Sequence, residues 1–227
     1  MPPHVQGTYS VLSDLFDFFG SRGDDLIELT IASFELILIV AALATVLSVL
    51  AALTAYRRPR IAKAMLSVFS VFLTIPSFAL FGLFIPIFGL GSTAAIVALV
   101  MYSLLPITRN AIVGLQAVDP AIIDAAKGMG MSRNRVLWRI ELPLAWPVII
   151  TGIRVAVQIV VGISAIAAFL NVEGLGTFIF RGLSTIGGAN ALNFTLSGTV
   201  LLVVVGLVLD GALLLFSRLT TSRGIRV

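Results

Sequence analysis

Residues 119–143 read DPAIIDAAKGMGMSRNRVLWRIELP, and the reading of this stretch decides the fold. It is the one long polar interruption in an otherwise apolar chain. Two short helices are predicted within it. The first covers 121–127, with Asp119 or Pro120 at its start and Gly128 and Gly130 at its end. The second covers 133–140, with Ser132 as its N-cap and Pro143 as its stop. Val136, Leu137 and Ile140 share one stripe of that helix, and Arg133, Arg135 and Arg139 lie on its more polar side. Gly128 and Gly130 permit the sharp turn between the two helices. The pattern is a helical elbow held at a membrane surface, where it meets a soluble partner.

The composition around the elbow explains why a membrane is expected. Of 227 residues, 59% are apolar and 11% charged, whereas ordinary soluble domains carry about 25% charge. A soluble core of this size would need a charged surface that this chain lacks. The absence of cysteine excludes disulfide and thiolate chemistry. The single histidine, His4, lies in the polar N-terminal tail, so a histidine-based metal or acid–base site is not expected. The formal charge of +4 follows membrane topology better than it fits a nucleic-acid partner.

Outward from the elbow, the charge-free runs mark candidate spans, each needing about 20 residues to cross about 30 Å of hydrocarbon. The first begins near Leu29 and ends at Tyr56, with Glu35 a turn or two inside its outer boundary. The charge-free region 64–108 is too long for one helix. A break at 86–92 divides it into helices at about 62–84 and 92–112. Pro76 is expected to kink the first and Pro106 the second. Such kinks serve packing or a gate, and the sequence leaves both open. A fourth span runs from about Leu144 to Phe169 and carries Arg154 and Gln158; its small residues suit either helix contacts or a translocation face. The segment 175–183 is too short to cross and is expected to be re-entrant or interfacial. The fifth span, 195–216, contains Asp210 near its inner end, protein-facing or among headgroups.

Five spans place the termini on opposite sides. All fifteen Lys and Arg residues except Arg22 and Arg181 fall inside or near the inner boundary if the N-terminus is outside. The expected organisation is an extracytoplasmic segment at 1–28, a membrane domain at 29–217 carrying the elbow, and a cytoplasmic tail at 218–227. Residues 11–19 could form a short interfacial helix. No basic n-region or small-residue cleavage site precedes the first apolar run, so no cleavable signal peptide is expected.

Enzymatic chemistry finds no support. There is no phosphate-binding loop of the G-x-x-x-x-G-K-S/T type, and no nucleophile–base or paired-carboxylate arrangement in a soluble pocket. Asp124 and Glu141 read as structural or docking charges. A polar elbow hanging from an apolar bundle suits the transmission of movement between a soluble motor and membrane helices.

The elbow resembles the EAA motif of ABC-importer permeases, whose pattern is E-A-A, three residues, G, nine residues, I-x-L-P. Here it reads Asp124-Ala125-Ala126, then Gly130, then Ile140-Glu141-Leu142-Pro143, with aspartate in place of glutamate. The resemblance extends from about Leu29 to Phe216. It implies an all-α integral membrane protein with a type I importer core, working by alternating access. It also implies a second permease subunit, a cytoplasmic ATPase dimer that receives the elbow, and a separate extracytoplasmic solute-binding protein. ATP and Mg would belong to the ATPase, with no cofactor on this chain. Asp124, Ala125, Ala126, Gly130, Arg133, Arg139, Leu142 and Pro143 would form the ATPase-coupling element.

The runs IPSFALFGLFIPIFGLG, YSLLPITRNAIVGLQAVDPAIIDAAKGMGMS, ELPLAWPVIITGIRVA and GLGTFIFRGL are similar to the osmoprotectant branch, which carries glycine betaine, carnitine, choline or proline betaine. An importer of another small solute, such as an amino acid or sulfonate, is the nearest alternative. A channel or secondary transporter without an ATPase is a further one, against which the elbow argues.

Overall fold

The structure, a computed structural model, describes residue 15 and residues 17–188 and 190–220. Within them the chain is helical throughout. In order, the elements are α1 (Gly23–Ala55), α2 (Pro59–Thr74), α3 (Ser77–Phe88), α4 (Ser92–Gln116), α5 (Pro120–Gly128) and α6 (Arg133–Val136). A π-helical turn (Leu137–Glu141) leads into α7 (Leu142–Ser164), which ends in a 3-10 segment (Ala165–Leu170). Then come α8 (Leu175–Ser184) and α9 (Ala191–Thr220). His4, Arg223 and Arg226 lie outside the described residues, as does most of the helix expected over 11–19; residues 17–21 are helical.

The apolar runs give the long helices. α1, α4, the continuous helix Arg133–Leu170 and α9 are each long and apolar enough to cross a membrane. α1 is apolar on every side and starts six residues earlier than expected. At 33 residues it is about 50 Å long. The helix expected over 62–84 is instead two helices, α2 and α3, bent by 98° at Ile75–Pro76. The residue before a proline is driven out of helical conformation, and Ile75 has ψ 128. A break inside a bilayer strands backbone carbonyls; Tyr102 Oη donates to the Ile75 carbonyl at 2.6 Å and satisfies one of them. Pro86 lies within α3, and the next break, at Gly89–Gly91, falls inside the expected 86–92, with α4 starting at Ser92.

α4 is the centre of the bundle, packed against α1, α2, α3 and α7. Its buried Ala98, Leu99, Ile107 and Ala111 share one core with Ile37, Val40 and Ala44 of α1 and with Ala145, Ile149 and Ala156 of α7. In lipid such contacts rest on close van der Waals packing, which small residues permit. Gly152 shows how close: a Cβ there would stand 2.7 Å from Asn110 Cβ and 2.8 Å from the Pro106 carbonyl oxygen. α8, ten residues long, packs along α9 and touches the N-terminal third of α1, where the Leu175 amide donates to Ser33 Oγ at 2.8 Å.

Candidate functional site

The elbow is built from its own capping chemistry. Asp119 accepts a hydrogen bond from the Ala121 amide at 2.8 Å and starts α5. At the other end the Gly130 amide donates to the Lys127 carbonyl and the Met131 amide to the Ala126 carbonyl. This paired closure needs a left-handed residue between helix and exit, and Gly130 supplies it with φ +80. The expected turn at Gly130 is therefore present. Ser132 occupies the N-cap position of α6 with extended backbone, but its hydroxyl makes no capping bond.

The second half of the elbow differs from expectation. The helix starting at Arg133 does not stop at Pro143; it continues through the π turn into α7. Pro143 sits in the first turn of α7, and the Leu142 amide reaches back five residues to the Leu137 carbonyl. A wider turn is one way a helix absorbs the donor that proline lacks. It also resets the helix phase by one residue. Val136 is buried, as predicted, but the next buried position is Glu141 rather than Ile140. From Glu141 the buried stripe continues through Ala145 and Ile149.

Glu141 is 2% exposed. Its carboxylate accepts from Tyr56 Oη at 2.6 Å and from Arg57 Nη2 at 2.9 and 3.0 Å. The Arg57 guanidinium also lies over the Tyr56 ring, 4.9 Å from its centroid. Gln116 Nε2, at the last residue of α4, donates to the Tyr56 carbonyl at 2.7 Å. One polar knot thus ties together the C-terminal ends of α1 and α4 and the start of α7. Burial first, then the hydrogen bond to the Glu141 carboxylate, pushes the Tyr56 phenol up to about 12. Tyr56 is a fixed donor at any physiological pH.

The residues that the motif singles out fall as follows. Asp124 is exposed and paired with Lys127 Nζ at 3.0 Å. Ala125 is exposed and Ala126 buried. Ile122, Ala125 and Met129 form an uncovered apolar stripe along α5. Arg133, Arg135 and Arg139 are exposed, Leu142 is half-buried and Pro143 exposed. Between α5 and the knot lies an open cleft of about 500 Å³ lined by Arg57, Ile123, Lys127, Arg133 and Glu141. The structure therefore brings Arg133 beside Lys127 and the knot, while Arg139 is not among the residues lining that cleft.

Another ion pair joins α7 to α9. Arg154 Nε and Nη2 donate to the two Asp210 oxygens at 2.9 and 2.8 Å, and Gln158 Nε2 to Oδ1 at 3.3 Å. Of the alternatives left open for Asp210, the structure selects the protein-facing one. Among the described residues, no three His, Asp or Glu side chains gather as a metal site would require. The knot is the feature that sequence reasoning missed: Glu141 was noticed as a charge, but its partners lie 84 and 85 positions away.

A family profile described as "Binding-protein-dependent transport system inner membrane component" matches residues 25–222. The osmoprotectant import permease protein OsmW of Salmonella typhimurium is 38% identical over 156 residues, covering 66% of this chain and 71% of that protein. The glycine betaine/carnitine/choline transport system permease protein OpuCB of Bacillus subtilis is 34% identical over 151 residues, covering 66% and 68%. Among solved structures, a chain of the MetNI methionine ABC transporter in an inward-facing conformation superposes with a TM-score of 0.73 at 24% identity, covering 87% of this chain and 96% of that one. A chain of an amino acid ABC transporter with histidines gives 0.71 at 20% identity, covering 89% and 97%. These two likenesses establish the fold.

Proposed function

We infer the function from one premise: the chain belongs to the family of binding-protein-dependent transport system inner membrane components. It is a multi-spanning, non-catalytic permease subunit of an ABC importer, and the solute it carries is an osmoprotectant of the quaternary-amine type. The observation that carries the cargo assignment is the 34–38% identity to permeases named for osmoprotectant, betaine, carnitine and choline transport. A cytoplasmic ATPase dimer drives it, a second permease completes the pore, and an extracytoplasmic binding protein delivers the solute.

The chain crosses the membrane five times, with the broken pair α2–α3 as one crossing, the N-terminus outside and the C-terminus inside. Two groups of contacts support this arrangement. Tyr56, Gln116 and Glu141 meet at one end of the bundle, beside the exposed cations of the elbow. Phe18, Phe178 and Phe194 meet elsewhere, on α8, the start of α9 and the segment before α1. The elbow at 119–143 docks on the ATPase. Its apolar stripe of Ile122, Ala125 and Met129 enters a cleft of the partner, Asp124 meets a donor there, and Arg133 and Arg139 engage its surface. Ala126, Gly130, Leu142 and Pro143 hold the elbow in shape. Residues 1–28 lie outside the membrane domain 29–217, and 218–227 form the inner tail.

Reconstitution in proteoliposomes with the cognate ATPase and binding protein tests this. ATP-dependent uptake of glycine betaine, carnitine or choline is expected. Uptake of methionine or a sulfonate, with none of these three, would overturn the cargo assignment; uptake without the ATPase would overturn the class.

A further inference from the structure

Resting on the coupling reading above, we propose that Tyr56, Arg57 and Glu141 form a positioning clamp that makes the inner end of α1 travel with the elbow. An ATPase engaging α5 and Arg133 pushes directly on the helix that becomes α7. Nothing in that push reaches α1 through the elbow's covalent path, because α1 and the elbow are separated by α2, α3 and α4 in the chain. α1 and α7 share an apolar core, and the knot adds a polar, directional connection to it. A carboxylate 2% exposed and held by a charged donor and a hydroxyl is costly to uncouple, since separation leaves a desolvated acceptor behind. The bonds are also directional: the two Arg57 contacts and the Tyr56 contact approach Glu141 from consecutive residues of α1's exit. Such a contact transmits displacement in more than one direction, which an apolar seam that can slide does not.

The π turn is part of the device. It is the local feature that turns Glu141 inward while leaving Arg133, Arg135 and Arg139 exposed on the same continuous helix. Gln116 brings the end of α4 into the same clamp through the Tyr56 carbonyl. The knot also borders the cleft shared by Lys127 and Arg133, so one boundary separates the docking residues from the clamp.

The test uses the full importer in nanodiscs or proteoliposomes with its ATPase and binding protein. Glu141→Gln, Arg57→Gln, their double variant and Tyr56→Phe are compared with the parent chain. Uptake per ATP hydrolysed is expected to fall about 5-fold or more in Glu141→Gln and Arg57→Gln, a usual size for coupling between sites. The double variant should fall no further than either single one. ATPase co-purification and basal hydrolysis should persist in Tyr56→Phe, which keeps the shape of the site. A role confined to folding would instead lower complex yield and uptake together and leave the ratio of uptake to hydrolysis unmoved, which overturns the clamp.

A second measurement covers the case in which the charge variants fail to assemble. The chain has no cysteine, so spin labels can be placed at Thr54→Cys and Trp138→Cys, both exposed positions on α1 and the π turn. Their separation is expected to stay constant between nucleotide-free and ATP-bound complexes of the parent chain, and to change on ATP binding in Tyr56→Phe. A parent distance that changes with ATP overturns the proposal. Failure of the underlying reading looks different: the parent chain would then show no ATP-driven uptake at all.

Discussion

Two clusters fasten this bundle, and they do so by different physics. The Glu141 knot is ionic and hydrogen-bonded, with every bond at 3.0 Å or less to the buried carboxylate. The other cluster is aromatic: Phe18, Phe178 and Phe194 meet edge to face, with centroids 4.9 to 6.2 Å apart. Arg181 and Arg22 lie over the Phe194 ring at 4.5 and 5.9 Å. Aromatic contacts of this kind tolerate shape-conserving exchange. A buried carboxylate does not, because removing a donor leaves a desolvated charge short of a partner. The comparison teaches where this fold accepts variation and where it fixes register.

The contrast can be broken most directly by Arg57→Ala, which leaves the Glu141 carboxylate, 2% exposed, without its cation. Loss of about 3–5 kcal/mol of stability is expected, read as a lowered unfolding midpoint of the purified chain in detergent. A midpoint within error of the parent would place the knot no higher than a surface pair. Next in size, Tyr56→Phe removes one donor to a charged acceptor and should cost about 1.5–3 kcal/mol. Measured in the Glu141→Gln background, the same change should cost clearly less, since the two side chains share one bond. At the aromatic cluster, Phe194→Leu keeps an apolar side chain but gives up its edge-to-face pairs with Phe18 and Phe178, and should cost about 1–3 kcal/mol. If it exceeds Arg57→Ala, the ranking of the two fastenings is reversed.

The smallest expected effect is of pH. The Tyr56 phenol is raised from 10.0 to about 12, so its protonated form is favoured by folding. That contribution is fully present below pH 10 and is lost as pH rises from about 10 through about 12. Between pH 6 and 9, the stability difference between the parent chain and Tyr56→Phe should not change. Spectroscopic titration of the two chains should differ by one tyrosine ionising near pH 12; an added ionisation near 10 would mean that the hydroxyl is not held.

Much of this was legible in the sequence, for reasons that are local. Charge-free runs of sufficient length mark spans, and Gly130 after an Ala-rich turn marks the elbow's exit. The spacing of Asp124, Gly130 and Pro143 carries the family resemblance by itself. What escaped depended on distance or on helix phase. Arg154 and Asp210 are 56 positions apart, and no local pattern pairs them. Glu141 was hidden because a 3.6-residue period assigns the inward position to Ile140, and the π turn moves it by one. Pro76 reads alike for a kink and for a full break; the extended backbone at Ile75 decides between them. Pro143 misled in the opposite sense, since proline in a first helical turn starts a helix as readily as it ends one.

The contact at Gly152 has a consequence for the transport cycle. With Pro106 and Asn110 pressed against a residue that has no side chain, α4 and α7 form a single slab with no room to shear. Whatever opens and closes during import must therefore yield along other seams. The loosest on view is α2, of which only Ala62 is buried among the residues described. If the slab is the door frame, α2 and the corner behind it are the leaf.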